Sequence, residues 1–243
     1  MDLSKTPKHT IFFNRIHRMC YSVESSLKTT ALSLFAIIYL FQSESPYFKW
    51  IGLSLIGWCS MQFAELLLWL TEPQHGCTKW NVIFSVTLIP LALMMQPLGS
   101  LFGSFFVIPW SESSLFRKWF TVIFCAIAIG SVAYVQFIQQ EQLCTFVTPK
   151  GHLFWGKTKK PIQNEPAYVL SQALWFLFIM IPILIFWDKS LPFLLIAAPL
   201  FGFLYGHYKT DSRGSIWCFY TSFSSIVASI LLFLKNHKIY NAF

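Results

Sequence analysis

Long apolar stretches alternate with short polar segments along most of the chain. Seven stretches reach the roughly 20 residues that a helix needs to cross a bilayer core, and each is flanked by charged residues, proline or glycine. The sequence thus predicts an all-α bundle, a seven-span transmembrane domain over residues 23–234, between an N-terminal segment 1–22 and a tail 235–243. The predicted spans are residues 23–41, 48–70, 80–107, 119–138, 167–187, 190–208 and 214–234.

Two regions depart from this simple alternation. No charge occurs between Trp80 and Ser111, and the stretch contains three prolines, so we expect a kinked third helix. The loop 139–166 contains "CTFVTPKGHLFWG", in which two short β-type runs flank a Pro-Lys-Gly turn signal. This pattern predicts a short β-hairpin at the membrane surface.

Composition supports a membrane protein. The 243 residues are 55% hydrophobic and 12% charged, whereas soluble domains carry about 25% charged residues. A soluble chain of this size could not hide so much apolar surface. The net charge of +8 comes from short basic clusters between apolar runs, which indicates a lipid surface and not a nucleic acid as partner.

Charge also predicts an orientation. With seven spans, the N-terminus shares a face with the loops 71–79, 139–166 and 208–213, and that face holds 12 of the 18 Lys and Arg residues. The positive-inside rule then places the N-terminus in the cytoplasm. If translation starts at Met19, the count falls to 8 against 6 and the argument nearly vanishes.

The most informative polar residue is Glu65 in the second span. Trp58, Gln62, Glu65 and Trp69 follow the spacing i, i+4, i+7, i+11 and form one helical face. A carboxylate in a bilayer core costs a few kcal/mol, so it must face the bundle interior, be paired or be protonated. Its best partner by type is Gln96 or a polar group of the seventh span. The stripe predicts a proton- or cation-coupled site or the polar anchor of a substrate pocket; the alternative is an interhelical hydrogen bond that locks packing.

A second set of residues falls on the N-terminal face. Cys77 and Cys144 can form a disulfide that ties the hairpin to the 71–79 loop. It needs an oxidising compartment or a viral thiol-oxidation system, and so conflicts with a cytoplasmic N-terminus. Alternatively, the thiols are unpaired, or they bind zinc with nearby histidines, although their spacing matches no standard zinc motif. The remaining members of this predicted surface face are Cys20, His75, His152, Trp155, His207 and Asp211.

Two further features have competing interpretations. Cys20 would become an N-terminal nucleophile or acylation site if Met19 initiates, but Ser22 as the helix N-cap explains "CYSVES" more simply. In the seventh span, small polar residues recur on one narrow face and predict a packing seam. They are Ser215, Cys218, Ser222, Ser225 and Ser229.

Short motifs resemble a family of polytopic membrane proteins of bacteria and large DNA viruses. "MCYSVESS" at Met19 is similar to the family's Met-Cys-aromatic-Ser start. "MQFAELLLW" resembles its His-Gln-x-x-Glu-x-x-x-Trp pattern, with Met61 in place of the histidine. The resemblance implies about seven spans but no activity, because the family has no established function.

The sequence favours a small transporter, channel or ligand-binding membrane protein that acts on a small molecule or ion. The alternatives are a membrane-embedded enzyme for lipid-like substrates and a structural or interaction protein. HExxH, Walker A, GxSxG and GxGxxG are absent from the sequence, and no cofactor or metal is predicted.

Overall fold

The computed structural model describes residues 22–134, 144–148, 151–155, 166–187, 192–209 and 213–238. Within them the chain is mainly helical, with seven long helices and one two-stranded sheet. The helices are α1 Val23–Phe41, α2 Pro46–Trp69, α3 Lys79–Gly103, α4 Leu115–Ala133, α5 Pro166–Phe186, α6 Pro192–Lys209 and α7 Arg213–Asn236. The strands are β1 Thr145–Val147 and β2 Leu153–Trp155, and short 3₁₀ turns cover Pro73–His75, Ser104–Phe106 and Trp110–Glu112.

Five of the helical segments are long and apolar enough to cross a membrane. They are Val23–Phe41, Pro46–Trp69, Lys79–Phe106, Leu115–Ala133 and Trp217–Asn236. Shorter apolar stretches, Ala173–Phe186 and Leu195–Tyr205, lie in α5 and α6. Several apolar helices of this length fit an integral membrane protein.

Helix starts follow local capping chemistry. Ser22 Oγ accepts a hydrogen bond from Ser25 N at 3.3 Å, so the predicted N-cap of α1 is confirmed. Thr78 and Ser114 cap α3 and α4 in the same way. The Ser114 cap explains why α4 begins at Leu115, four residues before the predicted start of its span.

Helix α2 lies at the centre of the described bundle. Its buried residues occur all round its circumference, because α1, α3 and α7 pack against it. Trp50 is fully buried and donates its indole N–H to Ser100 O at 2.7 Å. Tryptophans near the ends of apolar helices commonly form interfacial belts; Trp80, Trp110 and Trp119 are exposed as such a belt requires, whereas the burial of Trp50 excludes it from one.

The contact between α2 and α3 depends on glycine. A Cβ atom on Gly57 would collide with the carbonyl oxygen of Met95, and one on Gly99 would lie 2.7 Å from Leu53 O. Gly103, one turn after Gly99, meets Trp50 in the same way. Small residues four apart let two apolar helices approach closely, so these three glycines set how near α3 lies to α2.

The predicted hairpin is present and antiparallel, with Phe146 opposite Phe154. It does not simply lie on a surface, because Thr145, His152 and Leu153 are buried. Asn81 at the start of α3 holds β1 by two hydrogen bonds of 2.9 Å, from Nδ2 to Thr145 O and from Thr145 N to Oδ1. Backbone groups of the hairpin edge are thus satisfied by a helix side chain.

Candidate functional site

Gln62 and Glu65 lie together in the bundle interior, both with no exposed surface. Gln62 Nε2 donates to Glu65 Oε2 at 3.3 Å, and Gln62 Oε1 accepts from Thr29 Oγ1 of α1 at 2.9 Å. Glu65 lies four residues before the end of α2, which is about 6 Å along the helix axis. The predicted inward orientation of the carboxylate is correct, and Thr29 is a partner that the sequence did not indicate.

The other predicted members of the stripe point to different neighbours. Trp58 Nε1 donates to Ser100 Oγ of α3 at 3.1 Å, which places this indole against α3. Trp69 is partly buried against the core, and its indole N–H has no hydrogen-bond partner among the described residues. The aromatic residues therefore pack the ends of the face, and the polar chemistry is concentrated at Gln62 and Glu65.

Gln96 is buried, but its described hydrogen bond is with α5. Its Oε1 accepts from Trp175 Nε1 at 3.2 Å. The Gln96 backbone lies beside Gly57, and Gly57 is eight residues, or about 12 Å, along α2 from Glu65. Gln96 was therefore a wrong choice as the direct partner of Glu65.

A further polar cluster lies about one turn before Gln62 along α2, where α1, α2 and α7 meet. Cys59 Sγ lies 3.7 Å from Ser225 Oγ of α7. Ser33 of α1 and the α7 residues Thr221 and Ser222 surround the same thiol. The small-residue face predicted for α7 thus packs against α1 and α2 at Cys218, Ser222 and Ser225; the side chain of Ser215 lies outside the described residues.

Cys77 and Cys144 form a disulfide, with their Cα atoms 5.8 Å apart. It joins the segment after α2 to the residue before β1, as one of the sequence alternatives predicted. Gly76 supplies the turn into Cys77, with a φ of 125° that side-chain-bearing residues rarely adopt. The bond is on the same end of the bundle as the start of α1, because Thr29 near that start contacts Gln62 near the end of α2.

The remaining members of the predicted Cys/His face do not assemble in the part of the chain that the structure describes. His75 is exposed and pairs with Glu72 at 3.1 Å, whereas His152 is fully buried in the hairpin, so its predicted surface position is wrong. Trp155 is half-buried against the core. Cys20 and Asp211 and the side chain of His207 lie outside the described residues, and those described contain no cluster of three potential metal ligands.

Arg117 is a buried charged residue that was not predicted from the sequence. This residue in the first turn of α4 is 4% exposed, and its Nη2 donates to both Ser104 O and Ser104 Oγ at 2.7 Å. The guanidinium also lies over the rings of Phe105 and Phe186, at 5.1 and 4.5 Å. A cation at these carbonyl groups stabilises the end of α3, so Arg117 anchors α4 at the end of the bundle opposite the disulfide.

Comparison with known proteins assigns no relative. The chain matches no protein-family model, no curated protein and no solved structure. The resemblance of its short motifs to a bacterial and viral family stays a prediction, and conclusions about function rest on the residues described above.

Proposed function

We propose that the chain is a multi-pass membrane protein in which all seven helices cross the bilayer. Helix α5 contains 21 residues and α6 contains 18, which at 1.5 Å per residue makes them about 32 and 27 Å long. Both lengths are close to a 30 Å hydrocarbon core. Large hydrophobic side chains that are exposed on α1 and α4 would then face lipid, for example Phe35 and Leu115.

We further propose that this protein is a small transporter or channel whose proton- or cation-coupled site is Glu65 with Gln62 and Thr29. The observation that carries this proposal is the complete burial of a carboxylate on a membrane-length helix. Such a group is costly in a bilayer, and intramembrane acids commonly mark ion or proton pathways. The amide and hydroxyl around it provide both a donor and an acceptor for a small polar ligand.

Flux through reconstituted protein tests this role. Vesicles that contain the protein and a trapped pH dye should show proton movement under an imposed pH gradient, and Glu65→Gln should abolish it because the amide cannot exchange a proton. Gln96→Met is the matched control, since it removes a buried amide away from Glu65, and it should preserve flux. Proton flux that is unchanged in Glu65→Gln, with both variants folded, would rule out the proposed role and favour a packing function.

We infer from the disulfide that its end of the bundle faces an oxidising compartment. Disulfides persist in such compartments and are rare in the cytosol. The start of α1 shares this end, so the N-terminus would lie outside the cytoplasm, against the prediction from charge. The charge argument is weaker, because most of the excess lies before Met19 or in the long 139–166 loop, where the positive-inside rule has less force.

Thiol labelling tests this orientation. A membrane-impermeant maleimide should fail to label Cys77 and Cys144 until an impermeant reductant is added, and labelling should then occur from the non-cytoplasmic side. Side reactions of lysine do not interfere, because the readout is the mass of the two cysteine peptides. Labelling of both cysteines from the cytoplasm without reductant would refute the orientation.

A further inference from the structure

The inward face of α1 changes character halfway along the helix. Its first buried positions carry hydroxyl groups, at Ser26, Thr29 and Ser33. Its last buried positions are apolar, at Ala36, Ile37 and Leu40. The polar half lies toward the disulfide end of the bundle, and the apolar half lies toward the opposite end.

The two helices that face α1 follow the same division. Toward the disulfide end, α2 presents Glu65, Gln62 and Cys59, and α7 presents Ser222 and Ser225. Toward the other end, Ser54 of α2 is buried and bonds to Trp50 O of its own helix, and the other buried core residues are apolar. They are Ile51 and Leu55 of α2 and Ala228, Leu231 and Leu232 of α7. Polar groups from three helices therefore form one continuous column that stops near Cys59.

The depth of this column corresponds to half a membrane. Cys59 lies ten residues before the end of α2, or about 15 Å along its axis, and a hydrocarbon core is about 30 Å thick. Glu65 is near the mouth of the column, Gln62 and Thr29 lie one turn deeper, and Cys59 with Ser225 lies at the bottom.

Two hydroxyl groups along the column lack the hydrogen bonds that buried groups require. Among the described residues, Ser26 Oγ has no hydrogen-bond partner and Ser33 Oγ has only the weakly bonding Cys59 thiol beside it, and the two residues are 0% and 2% exposed. Most helical hydroxyls nearby bond to a carbonyl of the preceding turn, as Thr29 does with Ser25 O at 2.9 Å. Unsatisfied buried polar groups are the usual position of internal water, which typically makes about three hydrogen bonds to such groups.

We propose that the column is a hydrated half-channel that exchanges water with the disulfide end and is closed below Cys59, and that it gives protons and small monovalent cations access to Glu65 and Gln62. The proposal rests on the proposed function, because it specifies the side from which that site is reached. Glu65 at the mouth would attract cations, and hydroxyls with the Gln62 amide would replace part of their hydration. The apolar layer from Leu40, Leu55 and Leu232 would block passage to the far end in this conformation.

Silver ion is a suitable probe, since it is a small monovalent cation that enters narrow aqueous paths and binds thiolate, releasing the thiol proton. Chloride-free silver is added to one side of sealed vesicles of known orientation, and the Cys59 thiol that remains is measured by peptide mass spectrometry after alkylation. Silver at the disulfide end should consume Cys59, and silver at the opposite end should leave it intact. The internal control is Cys125 of α4, which is half-buried and outside the column, and which should react from neither side.

Two variants at Ser33 test whether silver reaches Cys59 through the column. Ser33→Val adds bulk beside Cys59 and should protect the thiol from silver, whereas Ser33→Ala should leave it reactive. The half-channel would be overturned if Cys59 reacts from neither end, reacts from both ends, or reacts no faster than Cys125. These outcomes are measured on the unsubstituted protein, so the test stands even if Ser33→Val does not fold. One-sided reaction of Cys59 combined with normal proton flux in Glu65→Gln would instead refute only the proposed function.

Discussion

The two sides of α2 contact their neighbouring helices in different ways. Toward α3, Gly57 meets the Met95 backbone, and the indoles of Trp50 and Trp58 reach Ser100. Toward α1 and α7, the contact is made through Gln62, Thr29 and the hydroxyl groups around Cys59. One helix thus combines a contact that depends on close backbone approach with a contact that depends on satisfying buried polar groups. Added side-chain volume should disrupt the contact with α3, and removal of a hydrogen-bonding group should disrupt the contact with α1 and α7.

The largest effect is expected from Gly57→Ala. The new methyl group would collide with a backbone carbonyl of α3, which cannot move aside as a flexible side chain can. Overpacking typically costs about 1–3 kcal/mol and occasionally more, and we expect the upper end and a clear loss of folded protein in detergent. Gly130→Ala is the matched control, since nothing lies within 4 Å of its added Cβ. Equal thermal stability of the two variants would show that close approach does not hold α2 against α3.

An intermediate effect is expected from Gln62→Leu. This change removes the amide donor to Glu65 and one acceptor of the Thr29 hydroxyl, which retains Ser25 O. Loss of a buried hydrogen-bond partner costs about 1–3 kcal/mol. Gln96→Leu, which loses one described bond to Trp175, should cost less. Thermal unfolding of both variants in the same detergent provides the comparison. A Gln96→Leu variant that is less stable than Gln62→Leu would contradict the special role of the polar side of α2.

The smallest effect is expected from Ser33→Ala. If water occupies the column, the serine hydroxyl is satisfied and its removal should change stability by less than about 0.5 kcal/mol, as it would at a surface position. If the contact is dry, removal of an unsatisfied buried hydroxyl should stabilise the protein by about 1 kcal/mol or more. Unfolding midpoints measured against the unsubstituted protein therefore separate a wet contact from a dry one.

Prediction from the sequence succeeded where the determining interactions are local. The Ser22 cap, the seven helices and the hairpin follow from residue types within a few positions of each other. The inward orientation of Glu65 follows from the high cost of a carboxylate in lipid. The close packing at Gly99 and Gly103 was not predicted, although two glycines four residues apart on a long apolar helix indicate it.

Prediction failed where the partner of a residue comes from a distant part of the chain. Gln96 was chosen as the partner of Glu65 by residue type, but the level at which α2 crosses α3 places it beside Gly57. His152 looked like a surface residue because its loop is polar, yet the hairpin folds it inward. For Cys77 and Cys144, sequence spacing alone left three alternatives open, and only the approach of β1 to the segment after α2 decided among them.

The sequence by itself determined a set of long apolar helices that fit an integral membrane protein, with the acidic residue Glu65 inside one of them, because hydropathy and helical periodicity act over a single helix. Only the tertiary structure decided which groups surround that acid, since hydrogen bonds across helices depend on crossing level and rotation. The packing of α1, α2 and α7 places Thr29, Gln62, Glu65 and Cys59 in one column. The same packing places Glu65 toward the end of the bundle that carries the disulfide.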